Sequence, residues 1–457
     1  MWLTDPSAVA AFREAHAHLH LLEATSYAPT VTERIRHEKL ALVWGRARSI
    51  PHYTRLPGFA ECDLSRLPIT TKDEVKADPH RFARTDLSGV LKYYESSGSS
   101  GRTTPTPRTA ADIIGNAISV AGLWRRSLGP EPRRVAALLP SDVLPVGDLV
   151  SAACEYLGHT LLRSYPFTLG ICDWDRLEAL FESYRPDAVF AAPGVLAQWT
   201  RVLKSRGRLA EVSASVRTVL LLGEVSLAAQ RRKLGRDWNA QVLDASYGST
   251  ETGTMAAACE HGALHLLAAG HVFEIRDGAE VRPLAIEPTG EQRGELITTT
   301  LNNHARPLLR YGTGDLVQVG AATPCPCGLG LPPVQVQGRG DDGIVWRGQS
   351  LTEHSLGSVV YEDPRLTGYL VQLRADGSQG RLVLEKDVEV PAGTDTADTD
   401  TGDTALGDAD IAAAARRRCA AAGLEWDDIV VVSQLPVTNK SGGSQKSWKR
   451  TNVARVA

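Results

Sequence analysis

The sequence predicts an α/β protein with two parts: a large N-terminal α/β domain and a small C-terminal α+β domain. Three observations carry this. Between residues 134 and 300, short apolar runs alternate with helical stretches. Glycines 338, 340 and 343 surround Arg339, Asp341 and Asp342, which marks a break in the chain. Beyond the break, the strand-like pieces Tyr369-Leu-Val-Gln-Leu373, Arg381-Leu-Val-Leu384 and Ile429-Val-Val-Val432 accompany one helix, Asp410 to Ala422. The expected division is therefore 1–337, a hinge at 338–343, and 344–457.

Residues 6–50 are expected to be helical, because Ile35, Leu40, Val43, Trp44 and Ala47 recur at the spacing of one helix face. His16, His18 and His20, of which positions 16 and 20 share a helix face, have no cysteine nearby and no metal-ligand motif around them, so solvated helix-face histidines are expected rather than metal ligands. In Leu67-Pro-Ile-Thr-Thr-Lys72, Thr70 or Thr71 is placed as an N-cap, with Asp73 and Glu74 in the first turn. Val135-Ala-Ala-Leu-Leu139, Ala188-Val-Phe-Ala-Ala192 and Thr218-Val-Leu-Leu-Leu222 are apolar runs bounded by proline or glycine, as buried parallel strands require. Ser246-Tyr-Gly-Ser-Thr-Glu251 follows the strand Gln241-Val-Leu-Asp244, which predicts a place on the ligand-binding rim of such a sheet. The acidic run Pro391 to Asp403 has no large apolar residue and predicts a disordered surface loop; it lacks the glycine-rich nonapeptide pattern of calcium repeats.

Composition narrows the function. A chain of 457 residues predicts two or more domains and a substantial core. Net charge is −3, so no broad basic surface is implied and nucleic acid is not an expected partner. No apolar run approaches a membrane span, and Met1-Trp-Leu-Thr-Asp-Pro6 lacks the regions of a signal peptide, so a cytoplasmic protein without a membrane partner is expected. Seven cysteines in so long a chain do not suggest a disulfide framework.

The stretch with the most chemistry is Glu95-Ser-Ser-Gly-Ser-Ser-Gly-Arg-Thr-Thr-Pro105, between the strand-like Val90-Leu-Lys-Tyr-Tyr94 and the helix-like Asp112 to Val120. Glycines let backbone N–H groups turn inward, and hydroxyls donate to phosphate oxygens. The spacing is not that of a Walker A loop. Ser246-Tyr-Gly-Ser-Thr-Glu-Thr-Gly253, Leu309-Arg-Tyr-Gly-Thr-Gly-Asp-Leu316, Gly338-Arg-Gly-Asp-Asp342 and a basic tail around Lys446 follow in order. With these motifs the chain resembles the adenylate-forming (AMP-binding) superfamily, and within it the phenylacetate–CoA ligase-like branch. The branch likeness runs from Leu67–Lys72 through Ser96–Gly101 to Cys325-Pro-Cys-Gly328, and is weak over 140–172 and 390–410.

The resemblance implies the superfamily's large N-terminal α/β domain, which binds acid and ATP, with a small mobile C-terminal α+β domain. It also implies a set of roles. Ser96, Ser97, Gly98, Ser99, Ser100 and Gly101 grip the β- and γ-phosphates, with Arg102 where a lysine is usual. Ser246, Tyr247 and Gly248 lie along the nucleotide, Tyr247 against adenine. Thr250 touches the α-phosphate, Glu251 binds Mg²⁺, and Asp315 accepts both ribose hydroxyls. Glu224 fits the glycine–glutamate turn beside the nucleotide, and Arg339 belongs to the hinge motif. Lys446 is the catalytic lysine, with Lys440 the other candidate. For Tyr247, Glu251 and Asp315 the structural alternatives are a core aromatic, a helix-start charge and a turn former. There are departures: Gly312 replaces an arginine, Thr103 a proline, and Pro140 to Asp148 lacks the family's aromatic and glycine-rich run.

The implied reaction has two halves. Carboxylate and MgATP give acyl-adenylate and pyrophosphate; a thiol, with CoA favoured, then displaces AMP. The branch suggests an aromatic acid. Transfer to a carrier-protein thiol, an amine or a hydroxyl stays open, as do a non-catalytic nucleotide-binding role and a homodimer. Separately, Cys259 and His265, with His261 as an alternative, and Cys325 with Cys327 make a Cys₃His set suited to structural Zn²⁺.

Overall fold

The computed structural model describes residues 5–96, 103–140, 143–166, 172–286, 290–320, 323–339, 344–374, 376–388, 407–436 and 453–456. The chain forms two compact units, Met1–Arg163 with Leu243–Asp341, and Ser164–Val242 with Asp342–Ala457.

The first unit opens with two helices, α1 (Pro6–Ala24) and α2 (Pro29–Ala47), as the apolar spacing predicts. Ser26 and Tyr27 join them with positive φ, 49° and 59°, a conformation that L-residues adopt only under constraint. The short helix α3 (Lys72–Ala77) starts at the expected cap: Thr71 and Glu74 form a capping box. The strands Val90–Glu95 and Pro105–Thr109 pair antiparallel, so residues 97–102 join the arms of a hairpin. The second arm was not expected, because Pro105 and Pro107 argue against a strand; an edge position tolerates them. Helix α4 (Ala110–Leu128) then begins at a Thr109–Asp112 capping box and buries Ile114, Ile118, Val120, Leu123 and Trp124. The Trp124 indole donates to the Ala245 carbonyl at 2.9 Å, just ahead of the predicted nucleotide motif.

The alternation predicted for 134–300 holds only in part. Arg134–Leu138 and Thr160–Arg163 pair in parallel, with the helix Pro145–Leu157 between them. After residue 245, however, this unit builds an eight-stranded sheet whose pairings among the described residues are antiparallel. Its order is 280–283, 271–277, 292–300, 311–319, 333–339, 264–266, 253–258, 246–249. Ser246–Ser249 is thus itself a strand at the end of an antiparallel sheet. Met255, Phe273, Ile275, Leu296, Val317 and Val319 form the core beneath it.

In the second unit Ala188–Ala191 and Thr218–Leu221 pair in parallel, as expected of buried apolar runs. Trp199 and Trp238 pack 5.2 Å apart behind them. A four-stranded sheet, ordered 428–432, 380–386, 366–374, 453–456, carries the helices Glu353–Val360 and Asp408–Ala421. The predicted strands and helix of the small domain fall on these elements. The acidic run 391–403 and the hinge residues 340–343 lie outside the described residues.

Candidate nucleotide site and cysteine–histidine cluster

Residues 246–258 fold back on themselves: Ser246–Ser249 pairs with Gly253–Ala258, and Thr250, Glu251 and Thr252 make the turn. Glycine is required at 248, where a Cβ would lie 2.3 Å from the Gly253 carbonyl oxygen. Side chains far away in sequence fix the turn. Arg108 Nη2 donates to the carbonyls of Thr250 at 2.7 Å and Glu251 at 3.1 Å. Asn303 Nδ2 donates to those of Glu251 at 3.0 Å and Thr252 at 3.2 Å, and Asn116 Oδ1 accepts from Thr254 N at 2.8 Å. With its main chain pinned on both sides, the turn holds Thr250 and Glu251 in fixed directions.

Glu251 is buried at 5% exposure. Burial pushes its carboxyl up, but the Arg306 guanidinium, a backbone hydrogen bond, Lys72 and Ser249 together outweigh burial, and it lies below the ordinary carboxylate range. It is therefore an anion at neutral pH. Arg306 is 0% exposed, and its Nη1 donates to the Pro105 carbonyl at 2.5 Å, on the second arm of the hairpin. Among the described residues, its Nε and Nη2 have no hydrogen-bond partner.

Tyr247 and Asp315, both assigned to the nucleotide from sequence, meet: the phenol donates to Asp315 Oδ2 at 2.6 Å. Asp315 N donates to Thr313 Oγ1 at 3.1 Å, and Asp315 lies opposite Arg339 in the ladder. A carboxylate has about four acceptor positions, so accepting from Tyr247 is compatible with a role toward ribose hydroxyls. Gly312 is explained by its neighbours: a Cβ there would stand 2.9 Å from Glu295 Oε1. Glu295 takes its cation from Arg276, directly opposite on the adjacent strand.

At the foot of the serine-rich loop, Ser96 and Thr104 close the hairpin: Ser96 N donates to Thr104 O, and Thr104 N to Ser96 Oγ, both at 3.1 Å. Ser97, Gly98, Ser99, Ser100, Gly101 and Arg102 lie outside the described residues, as do Lys440 and Lys446. Glu224 belongs to the second unit, where its Oε2 accepts from Gly194 N at 3.0 Å at the start of the helix Pro193–Ser205.

The cysteine–histidine set is brought together. The turn at Gly262 returns the chain from Cys259 to His265, and the turn at Gly328 brings Cys325 and Cys327 together. The four ligand atoms of Cys259, His265, Cys325 and Cys327 lie within 4.8 Å of one another. Cys259 Sγ and Cys325 Sγ are 3.8 Å apart, and Cys327 Sγ is 3.3 Å from His265 Nε2. Zinc–sulfur bonds of about 2.3 Å in a tetrahedron put two sulfurs about 3.8 Å apart. His265 Nδ1 is 2.9 Å from the Leu331 carbonyl, which only accepts, so Nδ1 carries the proton and Nε2 turns a lone pair toward the thiols. Arg126 is paired with Glu260 and donates to the Cys327 carbonyl at 2.9 Å, which adds positive charge beside the thiols. His265 is buried at 1% exposure, whereas His261 is exposed, so His265 completes the set. All seven cysteines are unbridged.

Sequence reasoning missed Arg108, Asn116, Asn303 and Arg306. Arg306 precedes Pro307 just ahead of the Leu309–Leu316 motif, but nothing local shows that these four converge on one turn.

No family model matches the sequence. Among curated proteins, the phenylacetate–coenzyme A ligase of Aromatoleum evansii is 24% identical over 72% of this chain and 73% of its own. That of Thermus thermophilus is 26% identical over 75% and 78%. Among solved structures, 2-hydroxyisobutyryl-CoA ligase with 2-HIB-AMP in its postadenylation state superposes with a TM-score of 0.74 at 17% identity, over 94% of this chain and 89% of its own. ATP-bound MatB from Rhodopseudomonas palustris gives 0.52 at 18% identity, over 76% and 65%. At these identities the structural likeness is one of fold. The sequence relatives, the ordered motifs and the shared fold together support a likeness to the adenylate-forming superfamily and to its phenylacetate–CoA ligase-like branch.

Proposed function

We propose that this protein activates a carboxylic acid with ATP as an acyl-adenylate and then transfers the acyl group to CoA, releasing AMP. The convergence of Tyr247, Thr250, Glu251 and Asp315 in one unit carries the reading. A carboxylate attacking the α-phosphate of ATP brings two anions together, so the site must supply donors and positive charge where the charge develops. Thr250 offers a hydroxyl beside the α-phosphate. Asp315, steadied by Tyr247, accepts the ribose hydroxyls. Ser96–Gly101 and Arg102 embrace the β- and γ-phosphates, and the buried guanidinium of Arg306 adds a fixed positive field beneath Glu251.

Glu251 fits a Mg²⁺ ligand because it is ionised and its main chain is fixed; bound there, the ion neutralises phosphate charge. Lys446 supplies the cation facing the reacting oxygens during adenylation, and rotation of 344–457 about 338–343 withdraws it before the thiol enters. Glu224 sits beside the nucleotide in this reading, and Arg339 at the pivot. The Cys259, His265, Cys325 and Cys327 set holds a structural Zn²⁺, closed to water because the protein fills all four positions. The relatives' names favour an aromatic acid, and a cytoplasmic location suits CoA as acceptor.

Pyrophosphate release measured over a panel of aryl and aliphatic acids tests the reading. Acid-dependent release with ATP, and AMP release accelerated by CoA, are expected. Absence of acid-dependent pyrophosphate would overturn the activity; acceleration only by a carrier protein would move the acceptor.

A further inference from the structure

The Cys259, His265, Cys325 and Cys327 set ties together the strands that carry the candidate nucleotide residues. The strand Gly253–Ala258 runs from the Glu251 turn straight into Cys259. The strand Tyr311–Val319, which holds Asp315, leads toward the turn with Cys325 and Cys327, and Pro333–Arg339 leads away from it. His265 pairs with Pro333 in the ladder, and Leu266 N donates to the Pro332 carbonyl at 2.9 Å. The same turn docks on the corner between α1 and α2: Gly330 N donates to Ser26 O at 2.9 Å, and a Cβ at Gly330 would lie 2.5 Å from Tyr27 O. Releasing the four side chains would therefore free the ends of the strands that present Glu251 and Asp315.

The three thiols are not equivalent. Cys259 and Cys327 are buried, at 0% and 9% exposure, whereas Cys325 is half-buried. Cys325 is thus the sulfur of the set that a small solute meets first. It lies 3.8 Å from the Cys259 sulfur, while the Cys327 sulfur is 3.3 Å from His265 Nε2. Cys259 is fixed by its hairpin, its N donating to Ala263 O at 2.9 Å, and Cys325 stands in a turn outside the strands. A disulfide of about 2 Å between them needs a shift of only about 2 Å in that turn.

We propose that Cys259 and Cys325 are a redox switch: a hydroperoxide joins them in a disulfide, which dismantles the Cys₃His set and loosens the nucleotide strands. The Cys325 sulfur attacks a peroxide oxygen; the O–O bond breaks, a sulfenic acid forms on Cys325, and water or an alcohol leaves. The Cys259 sulfur then attacks the sulfenic sulfur; the S–O bond breaks, water leaves and the S–S bond forms. Two electrons pass from the two sulfurs to the peroxide. The two protons come from the thiols, or from solvent where a metal holds the sulfurs as thiolates. Two of the four ligands are then spent, and Cys327 with His265 cannot by themselves complete a tetrahedral site. The switch rests on the zinc reading above and not on the identity of the acid.

The test uses the full-length protein as purified. Its zinc is measured first: a chain without zinc would overturn the zinc reading, and the switch with it, before any peroxide is added. Hydrogen peroxide should then release about one zinc per chain to a chromogenic chelator, and the thiol count in denaturant should fall by two from seven. Peptide mapping should place the bond between Cys259 and Cys325, and dithiothreitol with added zinc should restore both counts. The thermal shift produced by MgATP should shrink in the oxidised form. Cys327→Ser removes a ligand but keeps the pair, so it should still form the bond; in Cys325→Ser, Cys259 should stay reduced. Retention of zinc and of all seven thiols would overturn the proposal. So would a bond between Cys325 and Cys327, irreversible oxidation of Cys325 alone, or an MgATP shift unchanged by oxidation.

Discussion

Replacing Arg306 by methionine tests whether the buried arginine keeps Glu251 ionised. Arg306 is 0% exposed, so solvent does little to soften its loss. The two act on each other through their fields and not through a direct ion pair among the described residues, so the loss should be about 1–3 kcal/mol, the cost of leaving a buried carboxylate less well supported. At about 2 °C per kcal/mol for a unit of this size, the unfolding midpoint should fall about 2–6 °C near neutral pH. The sign of the pH dependence follows from the carboxyl. In the wild type it lies below its ordinary range, so the pair's contribution is fully present above the unfolded carboxyl pKa and is lost as pH falls through the folded one. In Arg306→Met the same carboxyl is buried without that cation and titrates higher, so protonation relieves the variant as pH falls. The stability gap should therefore be widest near neutral pH and narrow toward pH ~4.5. Thermal unfolding from about pH 4.5 to 8 measures it, and Glu251→Gln in the Arg306→Met background should recover part of the loss. A gap independent of pH, together with additive single and double variants, would refute the coupling.

Asp315→Ala should raise the KM for ATP about 30- to 1000-fold, the loss of a pair of charge-assisted hydrogen bonds worth about 2–4 kcal/mol; an unchanged KM in a folded variant would remove Asp315 from the ribose. Metal analysis should find about one zinc per chain, and Cys259→Ser or Cys325→Ser should lose it and unfold at lower temperature; undiminished stability of metal-free protein would count against the site. Lys446→Ala should slow adenylate formation by about 10²–10³ yet leave thioester formation from synthetic acyl-adenylate near the wild-type rate. Lys440→Ala should be mild in both assays, and the reverse result would move the catalytic role to Lys440.

Much of the fold was legible because its signals are local. The helix faces of 6–50, the cap at Thr71 and the strands at 134–138, 188–191 and 218–221 each follow from neighbouring residues. The cysteine–histidine set was legible because its chemistry is specific, although only the fold could choose His265 over His261. The antiparallel sheet was misread as continued alternation. Its strands pass through polar runs such as Thr298-Thr-Thr300, all three at 0–1% exposure, whose burial depends on sheet partners distant in sequence. The pins on Glu251 were missed for the same reason. Arg108, Asn116 and Asn303 reach one turn from three separate stretches, and no spacing rule links them.

The proposed rotation of 344–457 has a cost that the second unit makes visible. Asp387 accepts from Lys204 at 2.6 Å and pairs with Lys233, while Lys204 also reaches Asp237 at 2.8 Å. Arg201 donates to Thr367 Oγ1 at 2.8 Å and to the carbonyls of Lys386 at 2.7 Å and Ser433 at 2.6 Å. These contacts tie 164–242 to 342–457. The chain enters 344–457 once, through 338–343, whereas the strand Gln241–Asp244 continues from 164–242 into the first unit. A turn about 338–343 must therefore open this cluster. Burial pushes the Asp387 carboxyl up, but Lys233 and Lys204 outweigh it and hold it below the ordinary range, so it is charged at neutral pH and would be the latch in the proposed rotation. Lys204 and Lys233 are only 11% and 10% exposed, so added salt should screen the cluster weakly. Asp387→Asn should release it, leaving two lysines facing one neutral amide. Protease cleavage within 338–343 should then be faster than in the wild type at every salt concentration. An unchanged cleavage rate in a folded variant would mean that Asp387 does not restrain the small domain.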